Sequence, residues 1–255
     1  MVVAGPRPAA ADVAGARMWL ARRGVAVDEP TPLLALRIGV RVRATRSYLG
    51  FSLLSVVVWI VAVFPPVPVV ARFLVFSVVC AAFPLTRWRR VRRHDRAAAR
   101  LVPAGAKPSW RVAAGQVGWW YLAAAGLTFA GGAVLCAGFA AGPVAAAGWA
   151  AALAIGAAST ALVLGHVLRA PVIAEDEASR AVDAALRAHD AAVFALPYPF
   201  AFLAWIDLAT TWPWPPARIA APVAYLVLVL AASIGAAIAL RRRRLPPGRY
   251  GTVTP

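Results

Sequence analysis

The chain has 255 residues, 62% of them hydrophobic, and its 27 basic and 10 acidic residues leave a formal net charge of +17. Typical soluble domains are about 45–50% apolar even with glycine counted, and a core built from this length of chain cannot hide so much apolar surface. Disorder needs the opposite, low hydrophobicity, so a soluble domain and a disordered chain are both excluded, and an all-α, polytopic membrane protein with basic ends and loops is expected.

Residues 1–46 form a basic N-terminal segment with eight arginines and no long apolar run. Met1–Gly24 holds no apolar h-region, so no signal peptide is expected. Two short helices are predicted here. The first ends at Gly24, a natural C-cap; the second starts from Thr31 as N-cap with Pro32 in its first turn. Arg37, Arg41, Arg43 and Arg46 alternate with Leu36, Ile38, Val40 and Val42. That pattern places the segment in the membrane interface, with its arginines on headgroup phosphates.

A membrane-spanning helix needs about 20 predominantly apolar residues. Six stretches between residues 47 and 240 qualify: 48–64, 67–86, 117–140, 144–168, 192–211 and 218–240. Pro197 and Pro199 interrupt the fifth, which also contains Asp207. Three connections are tight and almost uncharged: Pro65-Pro66, Ala141-Gly142-Pro143, and the run from Thr210 to Pro216. The others, 87–116 and 169–191, are long and charged, as is the basic tail 241–255. This threading puts 25 of the 27 basic residues on one side, which the positive-inside rule makes cytoplasmic. The expected architecture is three helical hairpins with both termini in the cytoplasm, in a bacterial cytoplasmic membrane. Trp212 and Trp214 at one interface, and Trp88, Trp110, Trp119 and Trp120 at the other, occupy aromatic-belt positions.

The third and fourth spans carry the clearest packing signal. Ala124, Thr128, Gly132, Cys136 and Ala140 recur every four residues, as do Gly148, Ala152, Gly156 and Thr160. Small residues at this spacing make a smooth ridge that lets helix backbones approach closely. The two spans are therefore expected to pack as a tight antiparallel pair. Residues 175–190 differ from all the spans: Asp176, Arg180, Asp183, Arg187 and Asp190 share one helical face, with acid-first i,i+4 pairs. A cytoplasmic amphipathic helix is predicted before the fifth span, and it offers a surface for a membrane or cytoplasmic protein partner.

Few residues suggest chemistry. Asp207 is the one acid inside an apolar span and lies about one turn from its outer end. It is a candidate ion-pair partner of Arg218 or Arg72, both near the outer ends of their helices, or a proton or substrate group. Glu175-Asp176-x-x-x-Arg180 resembles the paired-acid motif of intramembrane CAAX-type proteases in its acids alone, without the histidines such enzymes place opposite them. His94, His166 and His189 do not cluster in sequence, and Cys80 and Cys136 both lie in apolar runs, so neither a metal site nor a disulfide is expected. No nucleophile, metal-hydrolase, phosphate-loop or dinucleotide motif is present, and no cofactor is implied. Arg89, Arg90, Arg92, Arg93 and the run Arg241, Arg242, Arg243 and Arg244 directly follow spans. Their position points to anionic lipid rather than nucleic acid.

The expected function is a non-catalytic accessory or transport-related membrane component. About 250 residues, six spans and an amphipathic stretch before the first resemble the permeases of ABC-2-type exporters, so a membrane subunit of an ATP-driven exporter is the main alternative. The 23-residue segment before the fifth span and the short outer link after it depart from that pattern. An enzyme acting on lipid is a further alternative, without a convergent set of acids or histidines to support it.

Overall fold

The computed structural model describes residues 7–46, 57, 60, 68–103, 105–208 and 216–252, with Arg46 and residues 216–218 described in their backbone only. The predicted first span, 48–64, lies almost entirely outside the described residues. The structure is helical almost throughout, and among the described residues five helical units are long and apolar enough to cross a membrane.

The N-terminal segment forms α1 (Ala10–Ala21) and α2 (Pro32–Arg46). Gly24, at φ 85°, turns the chain after α1, a conformation that glycine adopts at no steric cost. Thr31 Oγ1 accepts from the Leu34 amide at the start of α2, so the predicted cap forms. Arg37 and Arg41 do not reach out to headgroup phosphates as predicted, because both are buried within the protein. Trp19, Leu20, Leu34, Ala35 and Ile38 instead build a core of their own with Ala178, Val182, Leu186 and Tyr250. The two helices cross closely: a Cβ at Gly39 would lie 2.5 Å from Asp12 Cα. Arg43 pairs with Asp12 across the same contact.

α3 runs from Val69 to Ala98. At 1.5 Å per residue its 30 residues are longer than the apolar thickness of a bilayer. The apolar part ends near Thr86, and the continuation carries Arg87, Arg89, Arg90, Arg92, Arg93 and Arg96. α4 (Trp110–Val117) is capped by Ser109, and Gly118, at φ 99°, separates it from α5. α5 covers Trp119–Phe139, with one π-helical turn at Leu127–Gly131. α6 (Pro143–Arg169) starts on proline, and α7 (Glu177–Phe194) is capped by Asp176. α7 ends at Phe194 because Pro197 and Pro199 follow. The chain continues as a 3-10 turn (Tyr198–Phe202) into α8 (Leu203–Leu208). The unit that contains the predicted fifth span, Glu177–Leu208, is thus a helix broken at the two prolines that interrupt it in sequence. α9 (Pro216–Arg242) is the last.

Helix breaks need donors in an apolar medium. Pro199 has no N–H to offer the carbonyl of Ala195, four residues earlier, and the Tyr121 hydroxyl of α5 donates to that carbonyl at 2.7 Å. In the π turn, Tyr225 of α9 donates to the carbonyl of Thr128, also at 2.7 Å. The broken unit is the most enclosed of the five. Phe200, Leu203 and Ile206 lie fully buried in the main core with Phe73, Phe76, Trp149 and Val229.

The expected pairing of third and fourth spans is corrected. α6 packs chiefly on α3, and α5 chiefly on α9. α5 and α6 meet only toward their connecting loop, where Gly132 faces Leu153 and Cys136 Sγ lies 3.5 Å from the Ala146 carbonyl. The small residues do admit close neighbours, but these are aromatic rings of other elements. Gly148 faces Phe73 and Gly156 faces Phe200, with a virtual Cβ at 2.9 and 2.6 Å respectively. Ala124, Thr128 and Ala152 are all buried. The predicted ridges are real, but α3, α9 and the 3-10 turn use them more than α5 and α6 use each other.

The chain then returns to its start. β1 (Glu29–Pro30) pairs antiparallel with β2 (Gly251–Thr252), and Tyr250 fills the core of the N-terminal segment. The basic tail is thus docked on that segment. Together, α1, α2, the start of α7 and the tail form a cap on the charged end of the bundle.

Candidate functional site

The candidate site lies between the cap and the bundle. Two helices meet there with complementary charge periodicity. α2 presents Arg37 and Arg41 one turn apart; α7 presents Asp183, Arg187 and Asp190 on one face. Asp95, the one acid in the arginine run of α3, joins them.

Arg41 is 1% exposed and all three of its nitrogens donate. Nε and Nη2 hold the two oxygens of Asp190 at 2.8 and 2.7 Å. Nη1 and Nη2 hold those of Asp95 at 2.9 and 2.6 Å, and Nη1 also donates to the Arg37 carbonyl at 2.9 Å. A planar guanidinium matches such two-pronged pairing, which an ammonium cannot reproduce. Burial alone would lower the pKa of Arg41, but the carboxylates of Asp190 and Asp95 outweigh it and raise the pKa well above the ordinary arginine value.

Arg37 donates to Asp183 at 2.6 Å, to Asp95 at 3.3 Å and to the carbonyl of Ile173 at 2.7 Å. Arg187 takes the other oxygen of Asp183 at 2.8 Å. Its remaining nitrogens close the end of α6, donating to the carbonyls of Val167, Ala170 and Pro171 at 2.7–2.9 Å. The Asp183–Arg187 pair predicted from i,i+4 spacing forms, but it faces inward. Asp176 does not pair with Arg180; it accepts from the Ser179 amide at 2.7 Å and caps the helix. The predicted partner face of 175–190 is therefore occupied by the protein itself. Glu175, Asp176, Glu177 and Arg180 stay exposed at its first turn.

A cavity of about 150 Å³ opens beside this network. Trp88, 3% exposed, forms its wall. Arg92 stacks over the Trp88 ring at 4.8 Å, and His166 meets the ring edge-on at 5.4 Å. Arg96 and Asp95 complete the mouth on the α3 side. Among the described residues, no group of three or more His, Cys, Asp or Glu side chains is placed to hold a metal ion.

The remaining predicted residues are dispersed. Arg89, Arg90, Arg93, Arg241, Arg242 and Arg244 are exposed at the charged end, while Arg92 and Arg243 are half-buried. Asp207 is buried at the opposite end, where its Oδ1 accepts from the Ala141 amide at 3.2 Å, fastening α8 to the α5–α6 connection. The side chain of Arg218 lies outside the described residues, so the Asp207–Arg218 pair does too. Sequence reasoning passed over Arg37, Arg41 and Asp95 as site residues. The available signal was the matching one-turn spacing of opposite charges on two segments about 150 residues apart. No family model matches the chain, and no curated protein or solved structure is significantly similar to it.

Proposed function

We propose that the protein is a non-catalytic accessory or transport-related component of a bacterial cytoplasmic membrane. In this reading it has six spans, with residues 48–64 supplying the first, and its charged end and both termini face the cytoplasm. The observation that carries the reading is the buried arginine–aspartate network that fastens a folded cap to that end. Each carboxylate of the network is committed to guanidinium groups, which suits holding a structure better than exchanging protons with a substrate. Arg89, Arg90, Arg93, Arg241 and Arg242, being exposed beside the spans, suit anionic headgroups. The exposed first turn of α7 is the surface left for a protein partner.

Two measurements test this. Reporter fusions at Pro213 and at Pro246 should read opposite sides of the membrane, with Pro246 cytoplasmic; a cytoplasmic signal from Pro213 overturns the threading of the last two spans. Purification in mild detergent should give a stable protein without a nucleotide-binding subunit. Stoichiometric recovery of such a subunit would favour the exporter reading instead.

A further inference from the structure

We propose that the cavity between α3 and the end of α6 binds a dianionic phosphate monoester, held by Arg92 and Arg96. This goes beyond the reading above and does not depend on it.

Five arginines face three aspartates around the cavity. Arg37, Arg41 and Arg187 take up all three carboxylates in the network. Arg92 and Arg96 have no carboxylate within ion-pair distance among the described residues, so two positive charges remain at the mouth. A phosphate monoester above its second pKa, about 6, carries close to two negative charges.

Geometry supports the same ligand. The Trp88 face under Arg92 orients the guanidinium plane, and stacking leaves the in-plane N–H groups free to point at an oxyanion. Arg96 lies one turn further along the same helix, so both heads project on one side. His166 enters from the opposite helix. The volume, about 150 Å³, is at least about ten times the roughly 10–15 Å³ a single water needs; it admits a phosphoryl group. The same chemistry could come from a soluble monoester or from a lipid headgroup such as phosphatidic acid, because the mouth lies where α3 passes from apolar to basic sequence.

The experiment uses the full chain in phosphatidylcholine nanodiscs at constant ionic strength. One arm titrates glycerol 3-phosphate and reads the thermal midpoint and calorimetric binding. The other replaces a tenth of the lipid with phosphatidic acid and reads the midpoint. A response to either source is expected, and which arm responds identifies the source. Arg92→Gln with Arg96→Gln should weaken binding by at least about tenfold, which corresponds to roughly 1.4 kcal/mol. Arg96→Gln alone alters an exposed residue and keeps the test valid if the double variant fails to fold; it should weaken binding several-fold. No response in either arm, or unchanged binding in the Arg96→Gln variant, overturns the proposal.

Discussion

At the scale of single residues, Arg41 carries the most. A buried guanidinium is costly to desolvate, and its pairs repay that cost only because every donor is used. Removing one partner leaves a buried charge unmatched, at about 3–5 kcal/mol. Arg41→Ala should therefore lower stability by about that amount in chemical unfolding of the detergent-solubilised protein. Arg41→Lys should recover little, since one ammonium cannot hold two carboxylates in this geometry. Combining Arg41→Ala with Asp190→Ala should cost clearly less than the sum of the single changes; strict additivity would mean that the two groups do not interact. Tyr121 is a second such residue. Tyr121→Phe strands the Ala195 carbonyl in the apolar core and should cost about 1–3 kcal/mol by the same measurement, with no loss of helix content in circular dichroism.

At the scale of elements, the small residues of α6 make a prediction of their own. Gly156→Leu would drive a side chain into Phe200, whose ring already lies 2.6 Å from a virtual Cβ. Overpacking of this kind costs about 1–3 kcal/mol, and it should fall on the 3-10 turn, read as faster hydrogen exchange across Tyr198–Phe202. A parallel change at Gly165, which faces open space, should leave exchange there unaltered. The start of α7 is sensitive to acid. Two hydrogen bonds from Ser179, one from its side chain and one from its amide, hold the Asp176 carboxyl below the usual range. A depressed carboxyl stabilises the fold above its unfolded value, about 3.9, and that stabilisation fades as pH falls through the folded value. Protection of the first turn of α7 should therefore hold down to about pH 4 and decline below it, whereas Asp176→Asn should remove the decline.

The elements differ in how far the sequence discloses them. Spans are legible because length and hydropathy alone mark them, and the cap at Thr31 because its side chain acts on an amide three residues away; Asp176, read as a partner of Arg180, caps its helix instead. Partner choice is not. Gly148 and Gly156 announce that something approaches closely, but a glycine says nothing about which ring fills the space. Arg37 and Arg41 show the same limit: an arginine that reaches a phosphate and one that reaches a buried aspartate look alike until the distant acid is placed beside it. Pro197 and Pro199 signal a break, while the tyrosine that repairs it sits more than 70 residues earlier in the chain.

At the scale of the whole molecule, the docked tail closes the cap. Truncation after Leu245 removes Tyr250 and β2, opening the core around Trp19 and Leu20. Trypsin should then cleave at Arg22 and Arg23 at least several-fold faster than in the full chain, with the membrane-spanning fragments still protected; an unchanged digestion pattern would show that the tail contributes nothing to the cap. The long reach of the network also sets an order of events during synthesis. Arg41 emerges 149 residues before Asp190. At about 5–20 residues per second Asp95, 54 residues on, follows after roughly 3–11 s, and the pair of carboxylates is complete only after roughly 7–30 s. Over that interval its charge is not yet matched by both carboxylates, and a charged arginine is costly to draw into lipid. The same side chain thus passes through two consecutive environments in the life of one molecule: a charge exposed to water while the later helices are made, and, once α7 arrives, a charge withdrawn from solvent as a strut of the finished cap.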